Sequence, residues 1–362
     1  MIRPESEAEL SAAIAGAKGP LRIVGGGTRP VGRATGEVLS TTGLSGISLY
    51  EPGALTIVAG AGTPLAEVEA ALAAENQRLP FEPMLAGALL GSEGSSTIGG
   101  VVAANASGPR RIQAGACRDC LIGVRFVDGR GDIIKNGGRV MKNVTGYDLV
   151  KLLAGSWGTL GVLSEVAFKV LPGVEAVVTI EVSGVDAGAA IGAMSAALGS
   201  PYEVSGASYD PARQVVMLRL EGFSESLTYR TAKLQAVLAS FGNVSVNPDA
   251  DWAAVRDASL FAGGTGDLWR ISVKPSDGPR VGAALPGAKL LFDWGGGLIW
   301  AEVAQGVDLR AALGGIAGHA TLMRGTGCGT VFQPEPAPLA AISAGLRAQF
   351  DPRGILNAGL MG

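Results

Sequence analysis

Three glycine-rich stretches, each flanked by apolar residues, constrain the first half of this chain: LRIVGGGTR at 21–29, TIGGVVAANASG at 97–108 and GSWGTLGV at 155–162. Glycine serves where backbone turns sharply or approaches another group closely. The 56 glycines follow no collagen-like or low-complexity period. Two phosphate loops fail on the first stretch. The G-x-G-x-x-G fingerprint, counted from Gly25 and Gly27, meets Pro30 where a third glycine is needed. The G-x-x-x-x-G-K-[ST] loop matches Gly27 and Gly32, but Arg33 stands for its lysine and Ala34 for its hydroxyl. A nest of successive N–H groups curled around an anion needs neither residue. For one stretch alone, a tight turn with nothing bound is an equal reading. Three stretches in one domain suit an extended ligand of dinucleotide size.

The rest of the chain frames these stretches. Ser6 and Glu9 read as a capping box for a helix to about Gly16. LRIVG, VLSTTG and ALTIVAG read as strands, and Thr63-Pro64 opens a helix in PLAEVEAALAAENQ. After a loop-like region from Pro80 to Gly100, strands resume in LIGVRFVDGRGDIIK with a turn at Asp128-Gly129. GYDLVKLLAG reads as helix and GTLGVLSEVAFKVLP ends in a strand, with a boundary at Leu171-Pro172-Gly173. Beyond it, VVTIEVSG, VVMLRLEGF, LWRISVK and LIWAEVAQ alternate with helices in AGAAIGAMSAALG and SLTYRTAKLQAVLASFG. That pattern predicts an α+β sheet covered on one face. A last helix, LAAISAGLRAQF, precedes an irregular tail.

Composition narrows the function classes. The 362 residues are 47% hydrophobic and 17% charged, with a net charge of −3. A nucleic-acid binder needs a basic stripe, which is absent. No 18-residue apolar run occurs, and Glu5, Glu7 and Glu9 stand where a signal peptide would be apolar. A cytoplasmic location is expected, with any contact at the inner membrane made peripherally through partner subunits.

GGGTR, TIGGVVAANASGPRRIQAG, KNVTGYDLVKLLAGSWGTLGVLSEV and FDPRGILNAG, in that order and spacing, resemble the FAD-binding proteins of the vanillyl-alcohol oxidase (PCMH) type. They more closely resemble the E-type FAD-binding subunits of three-component bacterial glycolate oxidases. The resemblance covers roughly 1–172 and 335–362. It implies an α+β fold: a two-subdomain FAD-binding domain (about 1–78 and 79–172), a smaller α+β cap at 173–334, and a C-terminal segment, 335–362, returning to the first domain. Gly25, Gly26, Gly27, Thr28 and Arg29 would then wrap the FAD pyrophosphate. Thr97, Gly99, Gly100, Ala103 and Asn105 would line the second half of the groove, with Ser107 and Gly108 beside them. Gly155, Gly158, Thr159, Gly161 and Val162 would contact the adenosine side or close the sheet over it, and Asn357 would lie near the flavin.

The same resemblance implies a glycolate (2-hydroxy-acid) oxidase component, relaying electrons or completing a complex beside a catalytic FAD subunit and an iron–sulfur subunit. Some relatives attach FAD through a histidine where this chain has Thr28, so non-covalent FAD is expected. Catalytic relatives hold a divalent metal with several histidines and a glutamate. The single histidine here, His319, cannot build that site, so no metal is expected and self-sufficient catalysis is in doubt. No motif supplies a base for the substrate hydroxyl, and the catalytic residues are unassigned. Two alternatives stay open: an independent FAD-dependent dehydrogenase of a small hydroxy acid or alcohol, and a structural subunit with a vestigial groove.

Several residues keep two readings. Arg270, Lys274 and Arg324 could grip a carboxylate or serve as ordinary cap charges. Arg110 and Arg111 could meet FAD phosphate, a partner or solvent. Cys117 and Cys120 form a C-x-x-C, with Cys328 remote; free thiols are favoured over a zinc or redox site. The second triple glycine, in DWGGGLIW at 293–300, reads as a hairpin or bulge under aromatic packing.

Overall fold

The computed structural model describes residues 1–138, 146–327 and 329–361. Lys142 to Thr145 of the third motif, Cys328 and Gly362 lie outside the described residues. Two sheets organise the chain. The first has five antiparallel-paired strands in the order Ile47–Glu51, Thr56–Gly60, Val162–Lys169, Leu121–Val127, Ile133–Gly137. A parallel pair, Leu21–Val24 with Glu37–Ser40, stands beside it. The second sheet has eight strands drawn from 176–324, every pair antiparallel. Among the described residues, no helix is long and apolar enough to cross a membrane.

The helices of the second sheet cover one face, as its sequence pattern predicts. Ala190, Met194 and Ala197 of helix Ala187–Leu198 and Leu227, Leu234 and Leu238 of helix Ser224–Leu238 pack on Leu218, Trp269, Ile271, Phe292, Ile299 and Ala301. Side chains alternate across a strand. The intervening residues Leu268, Leu291, Leu298 and Trp300 therefore face the other way, where they meet Val31, Met84, Ala86, Leu89 and Leu90 from the first part of the chain. Four strands are not evident in the sequence pattern: Val204–Asp210, Asn243–Val246, Lys289–Asp293 and Gly318–Arg324. VSGASYD and GHATLMR carry small or polar residues on one face because that face abuts another layer or a cavity.

Charged side chains lock the eight-stranded sheet to the segment 78–110, which lies between strands of the first sheet. Arg219 donates to both oxygens of Glu82 at 2.9 and 2.8 Å. Arg110 donates to both oxygens of Glu221 at 2.9 and 2.7 Å, and Arg78 adds a bond to Glu221 at 3.0 Å. Arg110 is thus committed to structure. Forked, charge-assisted pairs are the strong class of hydrogen bond. Burial alone would raise the Glu221 carboxyl, but the Arg110 hydrogen bond and the charges of Arg219, Arg110 and Arg78 outweigh it and hold the group at about 2.

The C-terminal helix Ala337–Phe350 leads into a tail tied to the first part of the chain. Arg353 donates to the carbonyls of Ala15 and Ala17, capping the end of helix Glu7–Gly16, and to that of Gly129. Leu21 N–H donates to Ile355 O at 2.7 Å and Asn357 N–H to Leu21 O at 2.9 Å. The FDPRGILN segment therefore extends the strand pair that begins the first glycine stretch.

Breaking one member of the buried network leaves its partners as unpaired charges, at a typical cost of about 3–5 kcal/mol. Glu221→Gln is expected to lower stability by about that amount at neutral pH, read from denaturant unfolding. Because the folded pKa of Glu221 lies below its ordinary value of 4.5, its stabilisation is present above pH 4.5. The gap between variant and wild type should narrow as pH falls from there toward 2.

Candidate functional site

The strand Leu21–Val24 runs directly into the glycine triplet, and the three glycines have different reasons to lack a side chain. A Cβ on Gly25 would lie 2.4 Å from Thr97 Oγ1, and one on Gly26 would lie 1.6 Å from Ser95 O. Bare backbone at these positions lets the loop lie against residues 95–97. Gly27 has φ +72°, and a Cβ there would meet nothing within 4 Å. It supplies the left-handed turn, open on the cleft side.

The turn leaves a run of donors. Among the described residues, none of the N–H groups from Gly25 to Arg29 has an acceptor. Buried or half-buried N–H groups in folded proteins are nearly always paired, so a consecutive unpaired run marks a place for an anion. Thr28 is buried, and its carbonyl accepts from Ser92 Oγ at 3.0 Å. Arg29 donates to Ser96 Oγ at 3.0 Å and to Met84 O at 2.6 Å, and it pairs with no carboxylate among the described residues. Burial pulls its pKa down to about 10, with Cys117 and Asp257 opposing. A half-buried cation with only neutral partners beside unpaired N–H groups suits a pyrophosphate.

The second glycine stretch folds mainly as helix rather than as the loop its small residues suggest. Thr97 is the N-cap of helix Ile98–Ala103, its Oγ1 accepting from Gly100 N–H at 3.3 Å. A Cβ on Gly99 would sit 2.6 Å from Ala61 O, so this helix can close on the strand end only with glycine there. Thr97, Gly99, Gly100 and Ala103 line the same cleft as residues 25–29. From the third stretch, Gly158, Gly161 and Val162 line it too, joined by Trp157. Gly161 lies against the Phe126 ring.

Asn357 closes the cleft from the returning tail. Its Oδ1 accepts from Ile23 N–H at 2.7 Å and its Nδ2 donates to Trp157 O at 2.7 Å. One side chain thus joins the first stretch to the third. The remaining sequence-expected residues lie elsewhere. Asn105 and Ser107 line a second, adjoining chamber. Ser107 Oγ accepts from Cys117 N–H at 2.9 Å, and Asn105 Oδ1 from Arg118 N–H at 3.0 Å. The Gly108 carbonyl accepts from Trp294 Nε1 at 3.0 Å. Gly155 donates its N–H to Val102 O and Thr159 its hydroxyl to Ser156 O, both outside the lining of the cleft.

The chamber has a volume of about 500 Å³ and shares Arg29 and Trp157 with the cleft. Its far wall is the uncovered face of the eight-stranded sheet. Arg270 is paired in register with Trp300 on one side and Thr321 on the other, and all three line the chamber with Asp293 and His319. Arg270 stacks on the Trp294 ring at 5.1 Å and, among the described residues, has no hydrogen-bond or ion-pair partner. Burial pulls it down to about 10, and Arg111 adds to that.

Two of the other expected anion-binding cations are occupied. Arg324 pairs with Glu302 at 3.2 Å and donates to Leu89 O and Phe261 O. Lys274 lies 3.6 Å from Asp277. Arg111 stacks on Trp294 at 4.2 Å and, like Arg270, its side chain has no hydrogen-bond or ion-pair partner among the described residues. Cys117 and Cys120 are buried and free, and burial pushes the Cys120 thiol up to about 12. The sequence does not single out Asp293 or Trp157. Asp293 is hidden in DWGGG, whose role depends on which way the strand before it faces.

Residues 1–137 match the family model described as FAD binding domain. The glycolate oxidase subunit GlcE of Escherichia coli is 37% identical over 350 residues, covering 95% of this chain and 93% of that protein. The glycolate oxidase subunit GlcD of Bacillus subtilis is 47% identical over 77 residues, 21% of this chain and 16% of that protein. A D-lactate dehydrogenase of Archaeoglobus fulgidus is 32% identical over 179 residues, 48% of this chain and 38% of that one. Among solved structures, an alkyldihydroxyacetonephosphate synthase superimposes with a TM-score of 0.73 at 16% identity, over 99% of this chain and 76% of that one. The fold is thus shared with that synthase.

Each charge-assisted hydrogen bond is worth about 1.5–3 kcal/mol, so Arg29→Gln is expected to weaken FAD binding roughly 10- to 100-fold. Gly26→Ala forces the loop away from Ser95 O and is expected to give a chain purified without stoichiometric flavin. Flavin absorbance and dialysis against free FAD check both. Undiminished retention in both variants would remove the pyrophosphate from this loop.

Proposed function

The chain belongs to the family of the glycolate oxidase subunit GlcE, and from that premise we propose that it is the FAD-binding component of a glycolate oxidase. The observation that carries this reading is that, among the described residues, the N–H groups from Gly25 to Arg29 are unpaired and Arg29 beside them has no carboxylate partner. Residues 1–172 and the returning segment 335–362 form the FAD-binding part in this reading, and residues 173–334 the cap. Gly25 to Arg29 hold the pyrophosphate. Thr97, Gly99, Gly100, Ala103, Gly158, Gly161, Val162 and Asn357 line the remainder.

FAD, when bound, supplies a two-electron acceptor for oxidation of a C–H bond next to a hydroxyl. Thr28 offers no imidazole for a covalent link, so the cofactor is held by hydrogen bonds and packing. The protein's own part is to anchor the phosphates, fix the third stretch through Asn357, and exclude water with Trp157 and the uncovered sheet face. The chain works beside a catalytic flavoprotein subunit and an iron–sulfur subunit, on the cytoplasmic side, with membrane contact made through those partners. The local likeness to GlcD supports a shared cofactor fold between such subunits.

A second reading has its own observation. The chamber next to the cleft holds Arg270, unpaired among the described residues, with Asp293 and His319, which suits a small hydroxy acid oxidised by this chain itself.

An anaerobic spectrum of the FAD-loaded chain before and after glycolate separates the two. Bleaching of the flavin band is the result expected of self-contained oxidation. An unchanged spectrum, with co-purification of a larger flavoprotein and an iron–sulfur protein from the native source, is the result expected of a component that relays or assembles. A chain that binds no flavin overturns both.

A further inference from the structure

The DWGGG turn carries a group that none of the motifs explains. Asp293 ends the strand Lys289–Asp293 and is 2% exposed, yet it lines the chamber. Its Oδ1 accepts from Trp294 N–H at 2.7 Å. Its Oδ2 has no partner among the described residues. Period-two alternation places it on the same sheet face as Leu298 and Trp300, and the same period on the neighbouring strand gives Arg270. The two charges share one chamber without forming an ion pair. A carboxyl with one oxygen fixed and one free, across from an unpaired guanidinium, is an arrangement that a ligand completes.

We propose that Asp293 is the proton-holding residue of a site for small 2-hydroxy or 2-oxo acids. Arg270 takes the ligand's carboxylate. Asp293 as carboxylate accepts the hydroxyl of a 2-hydroxy acid, and Asp293 as acid donates to the carbonyl of a 2-oxo acid. The assignment rests on the reading of the chain as a glycolate oxidase component, and it adds the residue that could receive the hydroxyl proton.

The surroundings support a group that changes charge in the working range. Burial pushes Asp293 up to about 7, with Glu82 adding to the rise and the Trp294 hydrogen bond, Arg219 and Arg270 opposing it. Arg111 lies over Trp294, and His319 stands on the same chamber wall, held down by burial and by Arg270 and Arg111. On the turn Pro275–Asp277, packed against 294–296, Asp277 is already paired with Lys274 and Arg280. Helix Ala187–Leu198, packed on the same turn, carries no charged residue.

The test is calorimetric titration of the FAD-loaded full chain with pyruvate and with 2-hydroxyisobutyrate, which has no α-hydrogen and so cannot be oxidised. At about pH 6 and about pH 8, a group titrating near 7 changes its carboxylate fraction roughly tenfold. Affinity for the hydroxy acid should rise with pH by roughly that factor, and affinity for pyruvate should fall. Asp293→Asn should abolish both trends, and Arg270→Gln should weaken both ligands at either pH. Trends of the same sign, no pH dependence, binding of neither ligand, or trends that persist in Asp293→Asn would each overturn the proposal. The wild-type profile decides it even if a variant fails to fold. Flavin absorbance of the same samples keeps the two readings apart: loss of flavin overturns the cofactor cleft, while the titration trends still decide Asp293.

Discussion

The eight-stranded sheet is held to the segment 78–110 from the first half of the sequence by five side chains, Arg78, Glu82, Arg110, Arg219 and Glu221. Glu82 takes a left-handed backbone, φ +51°, to present both oxygens to Arg219. Such a conformation is costly for a residue with a Cβ and persists only where its surroundings over-determine it. Here the bidentate pair and the Arg110 N–H bond to the same carboxylate do so. The consequence is positional. With this contact fixed, the uncovered face of the eight-stranded sheet stands over Met84, Ala86, residues 104–107, Arg29 and Trp157. The space left between them is the chamber.

The FAD-binding half was legible because its signals are local. A strand followed by glycines needs only a few neighbouring residues to be recognised, and the returning FDPRGILNAG segment carries its own capping arginine and bridging asparagine. The helix Ile98–Ala103 escaped because glycine and alanine give no amphipathic period, and its start depends on the Thr97 cap. Four strands of the second sheet escaped for a related reason. GHATLMR alternates small and polar residues against apolar ones, but the polar side faces a cavity inside the protein. A reading that equates polar with solvent cannot see that.

Arg270, Lys274 and Arg324 illustrate the limit most directly. All three are cations on or beside strands of one sheet, and the sequence offers no way to rank them. Register decides. Arg324 falls beside Glu302 and is neutralised, and Lys274 leaves its strand to meet Asp277. Arg270 sits mid-strand between Trp300 and Thr321, where neither neighbour carries a charge. Pairing across three strands, set by residues far apart in sequence, leaves one of these three without a charged partner among the described residues. Asp293 is placed by the same long-range pairing.

Within one interface the protein thus treats buried charge in two ways. In the five-residue network every carboxylate meets a guanidinium fork, as expected where burial without pairing costs several kcal/mol per ion. In the chamber, Asp293 is buried and Arg270 half-buried, and among the described residues they form no ion pair. A fold selected for stability alone would have closed the pair or replaced it with apolar residues. Beside a network that shows the fold able to pair its charges, these two groups, without a charged partner among the described residues, are what the proposed ligand would complete.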